Sequence, residues 1–164
     1  PGKIVLGAPL YTRGWSGVAD GGDGGYLERT SGAAPGTFEA GVYDYKDLLA
    51  QVQNPANGWK LYWDDNAQAA YVYNPSKGLF SSFETPTSIA QKAQWADDLG
   101  LGGMMFWDIT NDAVGSPESL VKAAYDSLVL GRDLATIRSN SALKGEAIVG
   151  GDGRITALPT GTNL

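Results

Sequence analysis

Two short, nearly uninterrupted apolar runs constrain this chain more than any other feature. They are Lys3-Ile4-Val5-Leu6-Gly7-Ala8-Pro9-Leu10-Tyr11 and Leu101-Gly102-Gly103-Met104-Met105-Phe106-Trp107. Neither alternates apolar with polar, as a strand with one wet face does. They read as strands buried on both faces, the pattern of parallel sheets. Pro9 lacks an N–H, so pairing should weaken towards Tyr11. A helix precedes the second run, with Thr85 as N-cap, Pro86 at its first position, Ile89, Ala93 and Ala96 on one face, and Gly100 as its stop. Another follows over Glu118–Leu130, capped within Ser116-Pro117-Glu118 and stopped at Gly131. Leu120, Val121, Ala124, Tyr125 and Leu128 lie along its apolar side. Strand, helix, strand, helix is one βαβα unit of a parallel α/β fold. Two parallel strands leave apolar edges unpaired, which natural sheets avoid. Further strands are therefore expected in sequence outside this chain, which opens on Pro1 and not on Met.

The residues between the two runs form a separate block, roughly 14–83. Thr12 to Pro35, with Gly21-Gly22-Asp23-Gly24-Gly25, has no periodicity and reads as loop. No P-loop Lys-Ser/Thr follows the glycines, so they do not read as a phosphate cradle. Asp44 can cap a helix at Tyr45–Gln53, where Tyr45, Leu48, Leu49 and Val52 share a face and Asn54-Pro55 ends it. Trp59–Trp63, Ala69–Tyr73 and Leu79–Phe83, separated by turn clusters, predict an antiparallel meander. Arg132–Leu164 has no aromatic residue and weak periodicity, and reads as an irregular tail or linker.

The chain's 164 residues include no Cys and no His. That excludes disulfides, thiolate nucleophiles, imidazole catalysis and Cys- or His-ligated metal sites. A net charge of −6 argues against a nucleic-acid or anionic-membrane partner. Of the 17 aromatic residues only Tyr125 lies outside the span from Tyr11 to Trp107. Such clustering fits a core. A groove of flat apolar rings with polar neighbours, suited to sugars, is the alternative, and composition does not choose between them.

Four segments in order carry a family likeness: Lys3–Trp15 (KIVLGAPLYTRGW), Gly36–Leu48 (GTFEAGVYDYKDL), Tyr62–Tyr73 (YWDDNAQAAYVY) and Gly102–Asp108 (GGMMFWD). Together they resemble family 18 glycoside hydrolases, in particular bacterial chitinases with an α+β insertion domain. The resemblance implies the C-terminal portion of a (β/α)8 TIM barrel. Residues 1–13 and 84–130 would supply strands 7 and 8 and their helices, residues 14–83 the insertion domain, and residues 131–164 the tail. It also implies chitin or chito-oligosaccharides as ligands, the N-terminal remainder of the barrel as partner, a secreted bacterial parent, and no metal or cofactor. Active sites of such barrels lie at the C-terminal strand ends, where Tyr11, Arg13, Trp107 and Asp108 fall.

Residue by residue, Trp107 matches the eighth-strand Trp beneath the sugar at the cleavage site. Arg13 matches an arginine that hydrogen-bonds the sugar chain, Tyr11 an aromatic of the cleft floor, and Glu39 an insertion-domain acid reaching into the cleft. Asp64 could do likewise, or cap its own turn. The family's catalytic signature, Asp-x-x-Asp-x-Asp-x-Glu, is matched by none of the 18 carboxylates, and no Met-x-Tyr-Asp motif is present. The resemblance makes that Glu the proton donor, with the substrate's N-acetyl group as nucleophile, the substrate-assisted exception among glycosidases. The chain alone is thus expected to bind without hydrolysing. A non-catalytic chitinase-like lectin is the rival reading.

Overall fold

The computed structural model describes residues 1–143 and the strands Gly145–Val149 and Ile155–Thr156. In chain order the elements are β1 (Leu6–Pro9), β2 (Gly14–Ser16), β3 (Gly32–Ala33), α1 (Tyr45–Gln53), β4 (Lys60–Asp64), β5 (Ala69–Asn74), β6 (Leu79–Phe83), α2 (Pro86–Asp98), β7 (Met104–Trp107), α3 (Leu120–Leu128), α4 (Leu134–Asn140), β8 (Gly145–Val149) and β9 (Ile155–Thr156).

The strands form two sheets. β1 and β7 pair in parallel, from Leu6 opposite Met104 to Pro9 opposite Trp107, and Leu10 N–H extends the ladder to the Trp107 carbonyl at 2.8 Å. Both chains therefore leave this pair at the same end. The second sheet runs β3-β2-β6-β5-β4-β8-β9. The two parallel strands do not close into a barrel. They bury one face only. Ala8 and Leu10 join Ile89 and Ala90 of α2 and Leu120, Ala123 and Ala124 of α3 in the main core. Ile4, Val5, Met105 and Trp107 stay exposed. The expectation of burial on both faces fails here because α2 and α3 cover one side of the pair.

Several local expectations need correction. The stretch 12–35 is not all loop, since β2 and β3 lie within it. β6 provides the ladder for β2, pairing Trp15 with Phe80, a partner too distant in sequence to register as a pattern, and β2 in turn pairs β3. The following loop covers a tyrosine face of the sheet. Tyr71 and Tyr73 hydroxyls donate to the carbonyls of Asp23 (2.6 Å) and Val18 (2.9 Å). Gly24 (φ +72°) sits so close that a Cβ would lie 2.6 Å from the Tyr62 ring. Helix α3 begins at Leu120, not Glu118. Ser119 is its cap, accepting from Lys122 N–H at 3.1 Å, while Asp112 accepts from Ser119 Oγ (2.6 Å) and Leu120 N–H (2.9 Å). This carboxylate from the loop after β7 sets the helix start, and no local pattern announces it.

The segment after Gly131 is not irregular throughout. α4 is capped by Asp133, which accepts from Thr136 N–H at 2.7 Å, and it buries Ile137. β8 then runs parallel to β4. A helix of two turns with one buried side chain leaves almost no periodic trace. The rest of the tail reading lies outside the described residues.

Candidate functional site

The shared exit of β1 and β7 opens into a cleft of about 530 Å³. Tyr11 and Arg13 reach it from the chain beyond β1, and Trp107 and Asp108 from the end of β7. A loop from the second sheet's side brings Thr37, Phe38 and Glu39. Trp107 is 68% exposed. A large aromatic at a strand end that contributes so little to the core is available to a ligand.

The loop carrying Glu39 is tightly folded. Val42 C=O accepts from Thr37 N–H (2.9 Å) and Phe38 N–H (3.2 Å), and Val42 N–H returns a bond to Glu39 C=O (2.9 Å). At Gly36 a Cβ would fall 2.0 Å from the Glu39 carbonyl oxygen and 2.4 Å from that of Val42. Only glycine fits there. Backbone bonds from Thr12 N–H to Tyr43 C=O and from Gly14 N–H to Gly41 C=O tie this loop to the segment bearing Arg13. As a result Arg13 Nη1 lies 3.9 Å from Glu39 Oε1, and its guanidinium carbon stands 5.3 Å from the Tyr11 ring centre. Both partners of this ion pair are more than half exposed. Such a pair contributes little stability, leaving both groups free to meet a polar ligand.

Across the cleft, Asp108 Oδ1 accepts from Thr110 N–H at 2.8 Å and from the Thr110 hydroxyl. These bonds hold the Asp108 carboxyl below the ordinary carboxylate range, helped by Lys46. A carboxylate kept ionised accepts hydrogen bonds but is a poor proton donor. Lys46 of α1 donates to Thr110 C=O at 2.6 Å, joining the helix that follows the Glu39 loop to the loop that follows Trp107.

Of the five sequence-predicted residues, the structure brings Trp107, Arg13, Tyr11 and Glu39 into one cleft. Asp64 stands apart. It is buried, and its carboxylate caps the β4–β5 turn by accepting from Asn66 N–H (2.9 Å) and Ala67 N–H (3.1 Å). Its hydrogen bond with Tyr26, followed by burial, raises that phenol's pKa. Sequence reasoning passed over Phe38, 81% exposed on the cleft rim. Its signal was available: an aromatic between Thr37 and Glu39 in a turn bounded by Gly36 and Gly41 has no core to enter. Among the described residues no group of three His, Cys, Asp or Glu side chains is placed to hold a metal ion.

Comparison with known proteins gives consistent matches. The glycosyl hydrolases family 18 profile matches residues 1–112. The chain is 41% identical over 121 residues to Chitinase A1 of Niallia circulans, covering 74% of this chain and 17% of that protein. It is 36% identical over 126 residues to Chitinase 1 of Aphanocladium album, covering 77% and 27% respectively. Among solved structures it is similar to chitinase ChiA74 from Bacillus thuringiensis (31% identity, TM-score 0.63, 79% of this chain and 23% of that one). It is also similar to a plant class V chitinase mutant from Cycas revoluta in complex with (GlcNAc)3 (27% identity, TM-score 0.66, 77% and 34%). The chain thus spans 17% and 27% of the two curated relatives named.

Proposed function

The chain belongs to family 18 of the glycosyl hydrolases, and from that membership we propose that it is the C-terminal part of a chitinase. The parent protein hydrolyses β-1,4-linked N-acetylglucosamine polymers with retention, using the substrate's own N-acetyl group as nucleophile. Residues 1–13 and 84–130 contribute barrel strands 7 and 8 with their helices, and residues 14–83 form a wall of the substrate cleft. The proton donor belongs to a strand outside residues 1–164. The parent is secreted, since its substrate is an extracellular polymer, and bacterial by its likeness to bacterial chitinases such as Chitinase A1.

One observation carries this reading: the exposed Trp107 ring faces the same cleft as Arg13 and Glu39. A pyranose has an apolar CH face and a polar rim. Trp107 offers the apolar surface, and the loosely paired Arg13 and Glu39 offer a donor and an acceptor to hydroxyls and to the acetamido group. Asp108, ionised and anchored by Thr110, accepts from a further hydroxyl. None of these groups delivers the proton that bond cleavage needs, so residues 1–164 alone bind without turnover.

Calorimetric titration with chito-oligosaccharides of the full-length protein, its proton-donor Glu replaced by Gln to prevent turnover, tests the assignment. Trp107→Ala should weaken binding about tenfold, by loss of ring contact worth roughly 1 kcal/mol or more. Unchanged affinity would show that Trp107 is not the sugar platform.

A further inference from the structure

A second aromatic surface lies at β2, on the chain just beyond the segment that carries Tyr11 and Arg13, and lines none of the cleft. Trp15 of β2 faces Phe80 of β6 across the ladder, with ring centres 6.0 Å apart and planes tilted by 49°. Together with Tyr26, Leu27, Glu28 and Thr30 they line a shallow groove of about 280 Å³, room for about one sugar ring. Its wall is unusual on two counts. Leu27 is 88% exposed, so packing does not explain it. It also holds φ +60°, a region that a non-glycine residue enters only where the surroundings impose it. Trp15 is 39% exposed, although its sheet neighbours Tyr71 and Tyr73 are buried beneath the glycine-rich loop.

The groove's position relative to the cleft follows from strand geometry. Tyr11, Arg13 and Trp15 alternate with buried Thr12 and Gly14, and so project on one side of an extended chain. Successive members are about 6.6 Å apart. Tyr11 and Arg13 line the cleft and Trp15 lines the groove. The groove is thus one step farther along the line that leads away from Trp107.

The geometry points to the Trp15–Phe80–Leu27 groove as an outer subsite that takes a distal unit of a β-1,4-linked N-acetylhexosamine chain whose inner units occupy the Trp107 cleft. The inference rests on the chitinase reading above and extends it to long substrates. The aromatic pair and Leu27 receive the CH face, and Glu28 and Thr30 stand at the rim for hydroxyls.

The test compares the trimer and the hexamer of N-acetylglucosamine by calorimetry with the full-length protein, its proton-donor Glu replaced by Gln so that the ligands are bound and not cleaved. Trp15→Ala should weaken hexamer binding about fivefold and leave trimer binding unchanged, with Trp15→Tyr restoring much of the loss. Leu27→Asn, which suits the left-handed backbone and leaves the sheet untouched, should act in the same direction. Two results overturn the subsite while leaving the chitinase reading intact: hexamer affinity unchanged in both variants while Trp107→Ala still weakens both ligands, or trimer and hexamer weakened alike by Trp15→Ala and Leu27→Asn. Binding of neither oligosaccharide by the protein with no further substitution overturns both readings.

Discussion

Trp107 and Asp64 show how residue type and residue role separate. Both stood as candidates for the same cleft. The strand end leaves Trp107 in the open, whereas the turn after β4 claims the Asp64 carboxylate for its own amides. Motif position places a residue on the chain, but competition for a polar atom is decided by its neighbours. Exposure also makes the Trp107 test clean. Trp107→Ala should change unfolding free energy by less than about 1 kcal/mol, measured by denaturant titration, while sugar affinity falls. A large loss of stability would mean that the ring supports the fold. The tyrosines behave in the opposite way. Burial pushes the Tyr45 phenol well above its ordinary value, with Glu118, Asp112 and Glu84 adding to the shift, and it raises the phenols of Tyr71 and Tyr73. A raised phenol pKa favours the folded state while the group is neutral. That stability is complete below about pH 10 and is lost as pH rises further. The melting temperature should therefore fall steeply above about pH 10, with phenolate absorbance rising in step with unfolding. Independent titration of all tyrosines before unfolding would contradict this.

Elements set by local chemistry were legible, and elements set by distant partners were not. α2 lies where its cap and apolar face put it, with Thr85 and Ser88 in a reciprocal capping pair at 3.1 and 2.9 Å, whereas α1 lies where its apolar face puts it, the expected Asp44 cap making no side-chain hydrogen bond. β2 depends on a ladder from β6, β3 on one from β2 and β8 on one from β4, and they carry no local signature. The start of α3 depends on Asp112. Gly36→Ala should distort the loop holding Phe38 and Glu39, lowering stability by about 2 kcal/mol and weakening oligosaccharide binding. Full retention of both would show that the loop relaxes freely. Glu118 is fully buried and accepts from Ser141 Oγ (2.8 Å) and Ala142 N–H (2.6 Å), fastening the chain after α4 to the start of α3. Glu118→Ala should lower unfolding free energy by about 3 kcal/mol and expose the bond region after Asn140 to limited proteolysis. An unchanged digestion pattern would show that the fastening lies elsewhere.

At the scale of the molecule, β1 and β7 form the parallel pair that the two apolar runs predict. They align in parallel and present Tyr11, Arg13, Trp107 and Asp108 at one end, as a parallel α/β fold requires. Yet one face of the pair stays uncovered, with Ile4, Val5 and Met105 exposed. That open face agrees with a chain that spans 17% of Chitinase A1 and 27% of Chitinase 1, and on the proposed function the active centre is divided between this segment and the rest of its parent. Release of a fluorophore from a labelled chito-oligosaccharide, by the full-length protein and by residues 1–164 at equal concentration, tests that division most directly. The account predicts turnover by the full-length protein and none by residues 1–164. Turnover by residues 1–164, or none by the full-length protein, would contradict it.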